Sequence, residues 1–255
     1  MESNSKILKR IDVWLVDHGH APSRAKAQEL IDEGAVFIRG KLVEAASFKI
    51  DDQISSQDVR VDAQDVLRFV SRGGRKQAGA LADFGIAVQN SSILDLGQST
   101  GGFTDCVLQA GAREVVGIDV GREQIDAGLK VDPRVTVVEE VHLKDLAQLP
   151  VFHSGQRRFD LTVCDLSFIS SLAQLPSILG WSPAVLILVK PQFELGPAAL
   201  NKKGLVQRPE LISDLKSRFQ DEVRRLKYTV RGWMPSRLPG KDGNQEYFLY
   251  VTHND

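Results

Sequence analysis

The amino-acid sequence predicts an α/β protein: a seven-stranded, mostly parallel sheet whose last strand runs antiparallel, preceded by a small α+β unit. Three observations lead there. From Ile93 onward, short apolar runs alternate with helical segments. The first of these runs passes directly into a glycine-rich loop, Gly97 to Gly102. The stretch before it, about sixty residues long, carries a different pattern of two helices and short strands.

Size and composition set the outer limits. A chain of 255 residues, 42% hydrophobic and 25% charged, holds one large or two modest domains at roughly 100–200 residues each. A formal charge of −1 gives no global sign of nucleic-acid binding, so that inference must rest on local patches. The most apolar run, Ala184 to Val189, is too short for a bilayer, which needs about 20 apolar residues. The stretch MESNSKILKR lacks the apolar core of a signal peptide, so a cytoplasmic location without membrane attachment is expected. Cys106 and Cys164 have no metal-ligand spacing and read as reduced core thiols, with no metal site.

Ile7, Ile11, Trp14, Leu15 and His18 recur at helical spacing, and Gly19 ends that helix. Ser23 is a good N-cap for a second helix with apolar Ala27, Leu30 and Ile31, closed by Gly34. Val36 to Ile38 and Leu42 to Val43 form a hairpin across Arg39-Gly40-Lys41, and one or two strands follow near Ile50, Ile54, Val59 and Val61. R-I-D-x-x-L from Arg10, S-R-A-x-A-x-x-L-I-x-x-G-x-V from Ser23 to Val36, and the R-G-K turn resemble the "S-four" RNA-binding domain. The resemblance implies that Arg10, Arg24, Lys26, Arg39 and Lys41 face RNA phosphates, which position RNA without reading its sequence.

Between Val66 and Ala82 the chain carries Arg68, Arg72, Arg75 and Lys76 and no carboxylate. This positive stretch, with Ser71-Arg72-Gly73-Gly74 as a flexible turn before a helix from Arg75 to Phe84, suits an RNA strand lying along Arg68, Arg72 and Arg75. The expected division is residues 1–64 for the small unit, 65–70 for a basic linker, and 71–255 for the larger domain.

In the larger domain the strands are expected at Ile93–Leu96, Val115–Ile118, Val135–Val138, Leu161–Cys164, Val185–Val189, Thr229–Trp233 and Tyr247–Thr252, with a last helix from Pro209 to Leu226. Apolar runs separated by helices argue for a sheet covered on both faces. The turn-rich Pro235 to Gly243 makes the last connection a hairpin, which is the arrangement of Rossmann-like methyltransferases. Ligands bind such sheets at the carboxyl ends of the strands.

The loop after the first strand, D-x-G-x-x-x-G-G from Asp95, is neither a dinucleotide fingerprint nor a phosphate-binding P-loop, and it resembles the first motif of S-adenosylmethionine-dependent methyltransferases. Gly97, Gln98, Ser99, Thr100, Gly101 and Gly102 are therefore candidate cofactor contacts. Asp119 ends the second strand, where a carboxylate can accept from both ribose hydroxyls of an adenosine-containing cofactor. Asp165 ends the fourth strand in D-L-S-F-I-S, without the Pro-Pro of enzymes that methylate base amines. Lys190 leaves a fully apolar strand, where partial desolvation favours the neutral amine and makes it a candidate base. Glu246 opens the antiparallel strand at the same edge, and Lys76 lies on the helix leading to the first strand. These four residues, 89, 25 and 56 positions apart, can converge as proton removal from a sugar hydroxyl requires.

The ordered motifs S-R-G-G-x-K, L-D-x-G-x-S-T-G-G-F-T-D, I-D-V-G, D-P-R-V, D-L-S-F-I-S, V-K-P-Q-F-E and G-N-x-E-Y-F resemble the TlyA, or haemolysin A, family of ribosomal RNA 2′-O-methyltransferases, whose catalytic domain is FtsJ-like. The resemblance covers essentially the whole chain. It implies a Lys-Asp-Lys-Glu tetrad at Lys76, Asp165, Lys190 and Glu246, S-adenosylmethionine held by the glycine loop with Asp119 and Asp165, and methylation of cytidine ribose in ribosomal RNA or ribosomal subunits. Three departures stand out: Gln98 replaces Ala, Gly121-Arg122-Glu123-Gln124 replaces Gly-Tyr-Gly-Gln, and Glu140 to Lys144 replace Arg-Thr-Asn-Ala-Arg. A non-catalytic RNA-binding or assembly factor and a membrane-active haemolysin are the alternative functions.

Overall fold

A computed structural model describes residues 8–149, 152, 159–208 and 210–254. The chain forms two compact units, Met1–Phe69 and Val70–Asp255. The first contains β1 (Leu8–Arg10), α1 (Ile11–Asp17), α2 (Arg24–Asp32), β2 (Val36–Ile38), β3 (Lys41–Leu42), β4 (Lys49–Asp51) and β5 (Val59–Val61). Its first helix begins later than the apolar spacing predicts. Leu8–Arg10 pairs antiparallel with β4 instead, and the Ile11 amide donates to Phe48 O at 2.8 Å. Backbone pairing with a distant strand outweighs local helical spacing here. Ile7, the expected start, lies outside the described residues.

The second helix starts as its sequence predicts, with Ser23 Oγ accepting from the Lys26 amide at 3.3 Å. Arg39 and Gly40 both hold positive φ, 49° and 76°, as a two-residue hairpin turn demands. Ile11, Trp14, Leu15, Leu30 and Val36 build the core of this unit, and Val66 packs into it.

The second unit contains α3 (Arg72–Phe84), β6 (Ser92–Leu96), α4 (Gly102–Gln109), β7 (Glu114–Ile118), α5 (Ala127–Lys130), β8 (Val135–Val138), β9 (Leu161–Cys164), α6 (Ser171–Ile178), β10 (Ala184–Val189), α7 (Pro191–Glu194), α8 (Glu210–Arg225), β11 (Tyr228–Pro235) and β12 (Tyr247–His253). Its sheet has seven strands in the order β11-β12-β10-β9-β6-β7-β8. β12 is antiparallel to both its neighbours, and the remaining pairs are parallel. All seven expected strands are present. Pro209, where the last helix was expected to start, lies outside the described residues.

Helices cover both faces of the sheet. On one face Leu175, Ile178, Leu215 and Phe219 from α6 and α8 pack on Leu94, Val116 and Ile187. On the other face α3 and α4 lie together, with Phe103 6.3 Å from Phe248 and Phe84 5.5 Å from Tyr250.

The expected flexible turn at Ser71 to Gly74 is instead the first turn of α3. It packs against Gly102 of α4: a Cβ there would strike Ser71 Oγ and lie 3.0 Å from the Gly74 amide nitrogen, so α4 comes this close to α3 only without a side chain at position 102. Cys106 and Cys164 are both buried and neither forms a disulfide, and burial pushes the Cys164 thiol well above its usual range.

Candidate active site

The site is built where the parallel strands of the second unit end. After β6 the chain turns at Gly97, whose φ is +83° and whose amide donates to Ile118 O at 2.9 Å. A Cβ there would lie 2.5 Å from Asp165 O, so this position admits only glycine. Gly97, Gln98, Ser99, Thr100 and Gly102 line one cleft of about 150 Å³ together with Lys76 and Asp165. Gly101 is turned elsewhere, packing against Leu129.

Two lysine–carboxylate pairs stand at this edge. Lys76, on α3, places Nζ 2.6 Å from Glu246 Oε2. Lys190, directly after β10, places Nζ 2.6 Å from Asp165 Oδ1, and the same ammonium donates to Ser167 Oγ at 2.6 Å. The pairs are within electrostatic reach of one another. Burial raises the Glu246 carboxyl above its ordinary value, Lys76 and then Lys190 oppose that rise, and Asp165 adds to it. Residues from α3, the β9 and β10 ends and the start of β12 thus meet because parallel strands finish, and the antiparallel one begins, at the same edge.

The loop after β9 is pinned from α7. Glu194 accepts from Ser170 Oγ at 2.5 Å and from the Ser171 amide at 2.7 Å, satisfying the N-terminus of α6. This holds the loop where Ser167 reaches Lys190 and where Phe168, at φ +67°, is 86% exposed. Ser167 and Glu194 were not singled out from sequence, although both lie inside quoted motifs.

Asp95 lies wholly buried beneath the glycine loop. Its Oδ2 accepts from Thr104 Oγ1 at 2.6 Å, and Thr104 Oγ1 accepts from Gln98 Nε2 at 2.9 Å. Gln98 occupies space that a Cβ on Gly117 would fill. The first family departure is therefore an amide packed against the β7 backbone and tied to Asp95. Asp119 buttresses the loop, accepting from the Ser99 amide at 2.7 Å and from the Gly121 amide at 2.6 Å. Each carboxylate oxygen can accept more than one hydrogen bond, so capacity for a ligand hydroxyl remains. Glu123, in place of a family glycine, holds φ +54°.

The expected RNA-facing cations fall in different settings. Arg10 and Arg24 flank Asp12, each with a nitrogen 3.0 Å from one of its oxygens. The Arg10 guanidinium hydrogen-bonded to Asp12 holds that carboxyl at about 2, with Arg24 assisting against burial. Lys26 pairs with Glu29 at 2.8 Å and Arg39 with Asp58 at 3.1 Å. Lys41 is exposed. Arg68 is exposed and stacks over Phe69, while Arg72 and Arg75 are half-buried. Lys76, counted in the basic stretch, is 8% exposed and belongs to the cleft, because its partner Glu246 draws it inward.

Sheet order, a glycine-turned loop after the central strand, and carboxylates at two strand ends define the second unit as a Rossmann-like methyltransferase domain. The FtsJ-like methyltransferase model matches residues 69–253, and the S4 domain model matches residues 9–53. The 16S/23S rRNA (cytidine-2′-O)-methyltransferase TlyA of Mycobacterium tuberculosis is 39% identical over 245 residues, covering 95% of this chain and 89% of the relative. The protein of Brachyspira hyodysenteriae named Hemolysin A is 33% identical, covering 94% of this chain and 98% of its own. Among solved structures, a Streptococcus thermophilus protein bearing the name hemolysin has a TM-score of 0.69 at 29% identity, covering 98% of this chain and 90% of that one. This chain belongs to the FtsJ-like methyltransferases and, within them, to the TlyA family. No described helix is long and apolar enough to cross a membrane.

Proposed function

We propose that this enzyme methylates the ribose 2′-hydroxyl of cytidine in ribosomal RNA, using S-adenosylmethionine, with Lys190 as general base. The observation that carries the reading is the pairing of Lys190 with Asp165 and of Lys76 with Glu246, each at 2.6 Å, beside one glycine loop. The names of the TlyA relatives support the substrate. The S4 match supports an N-terminal domain, residues 1–64, that docks on RNA or a ribosomal subunit through Arg10, Arg24, Lys26, Arg39 and Lys41, in the cytoplasm. The stretch 65–70 then serves as a basic linker, with Arg68, Arg72 and Arg75 guiding the strand.

The residues present suit the cofactor. The loop backbone leaves a cleft lined by Gly97, Gln98, Ser99, Thr100 and Gly102, and the Asp119 and Asp165 carboxylates suit a ligand with two positive centres and ribose hydroxyls. When bound, S-adenosylmethionine supplies an electrophilic methyl group on a sulfonium. Lys190, as the free amine, accepts the 2′-hydroxyl proton at Nζ while Asp165 and Ser167 hold that nitrogen in place. Lys76 donates to the ribose oxygens, and buried Glu246 orients Lys76.

Lys190→Ala is expected to lower methyl transfer by roughly 10²–10⁴-fold while calorimetric affinity for S-adenosylmethionine stays near that of the wild type. Full activity in the variant would remove Lys190 from the role. A wild-type protein that binds no S-adenosylmethionine even with RNA present would be a non-catalytic RNA-binding factor.

A further inference from the structure

Glu246 and Tyr247 are adjacent, and side chains alternate across a strand. Glu246 meets Lys76 on the α3 face. Tyr247 turns to the α8 face, where its ring stacks on Trp233 at 5.4 Å. There Tyr247, Leu205, Val206, Ile212, Ser213 and Gln245 line a cavity of about 430 Å³, within the roughly 300–1,000 Å³ of small-ligand sites. It opens one residue along the chain from the tetrad, on the opposite face of the sheet.

The wall of this cavity is tied to the hairpin that carries Glu246. Asn244 is 4% exposed; its Oδ1 accepts from the Val206 amide at 2.9 Å and its Nδ2 donates to Gly204 O at 2.9 Å. Asp242 accepts from Asn244 Nδ2 at 2.8 Å and from Gln192 Nε2 at 3.1 Å, which joins α7 to the same hub. The segment forming that wall is also positive. Between Glu194 and Glu210 the sequence holds Lys202, Lys203 and Arg208 and no carboxylate. Both lysines are exposed, as is Lys241 on the hairpin opposite, while Arg208 lies 3.7 Å from Glu210.

A pocket of one aromatic ring and several aliphatic side chains, with an amide and a hydroxyl at its lining and exposed lysines on the segment and hairpin that form it, has the chemistry of a nucleotide site. An aromatic ring such as that of Tyr247 can stack any base, and lysines neutralise phosphates. We infer that this cavity takes the base of a nucleotide adjoining the methylated one in the same RNA strand, with the phosphate at Lys202, Lys203 and Lys241. The inference rests on the proposed methylation of RNA and adds where the strand lies beyond the tetrad. It also gives the enzyme a second contact by which to select its target, mechanically linked through Asn244 to the Glu246 hairpin.

Two full-length variants test it: Val206→Trp, which fills the cavity, and Lys202→Ala/Lys203→Ala, which removes charge. Methyl transfer to ribosomal RNA is measured across RNA and salt concentrations, with S-adenosylmethionine affinity by calorimetry. Val206→Trp is expected to raise KM for RNA about tenfold, the order of one lost stacking contact, with kcat and cofactor affinity unchanged. The double variant is expected to raise KM and flatten the logarithmic salt dependence by about two. Should Val206→Trp fail to fold, wild-type enzyme is assayed on RNA with an abasic site on either side of the target nucleotide, and one of these is expected to raise KM by the same factor. Wild-type KM and salt slope in the lysine variant, together with indifference to the filled cavity or to both abasic sites, overturn the inference and leave the proposed reaction standing. Absence of methyl transfer to RNA by the wild type overturns both.

Discussion

Asp95 concentrates the electrostatics beneath the cofactor loop. Burial, with Asp165 and Asp119 nearby and Thr104 opposing, pushes its carboxyl up to about 7. The folded state therefore holds a proton that the unfolded chain releases near the usual carboxylate value of about 4. More protons bound to the native state means that stability falls as pH rises between those values and levels off above about 7. Asp95→Asn keeps an acceptor for Thr104 and cannot ionise. Its thermal midpoint should be flatter across that window, and its advantage over wild type should grow with pH, up to about 4 kcal/mol. Parallel pH profiles for the two proteins would count against a protonated Asp95. Lys76 and Glu246 make a second case. With the side chains of the pair 10% and 3% exposed, Lys76→Ala strands a buried carboxylate and should cost about 3–5 kcal/mol in urea unfolding. Lys76→Met combined with Glu246→Gln should recover most of that loss.

At the scale of elements, the crossing of α3 and α4 sets where Lys76 stands. Gly102→Ala would place a methyl group against Ser71 and the Gly74 backbone, so a loss of about 1–3 kcal/mol is expected together with reduced kcat, read from denaturant midpoints and initial rates. Unchanged values of both would show that the helices can part without moving the site. The ends of the strands were legible because apolar runs stop at Asp119, Asp165 and Lys190, charged residues that an apolar strand interior does not accommodate unpaired. The first turn of α3 was not, since Ser71 to Gly74 looks like a flexible turn until the partner helix is known. Nor was β1, whose apolar spacing is helical and whose pairing partner lies some forty residues on. Long-range packing decides both, and neither the Asp95–Thr104–Gln98 chain nor the cavity beside Tyr247 leaves a local signal. Which lysine pairs with which carboxylate was likewise invisible, being fixed only by the face each strand presents.

At the scale of the whole molecule, the charge of −1 conceals a local arrangement in which carboxylates hold cations at the surface. Asp12, nearly buried, carries Arg10 and Arg24 on either side. Arg24→Ala leaves Asp12 still paired with Arg10, so the fold should persist while affinity for ribosomal RNA falls and the salt slope drops by about one. An unchanged slope would take Arg24 off the RNA surface. The most direct test of the central claim is to map 2′-O-methyl nucleotides in ribosomal RNA from cells with the gene, without it, and without it but supplied with the Lys190→Ala protein. A cytidine methylated only in the first is the predicted result. Identical maps in all three, or a mark restored by Lys190→Ala, would contradict it.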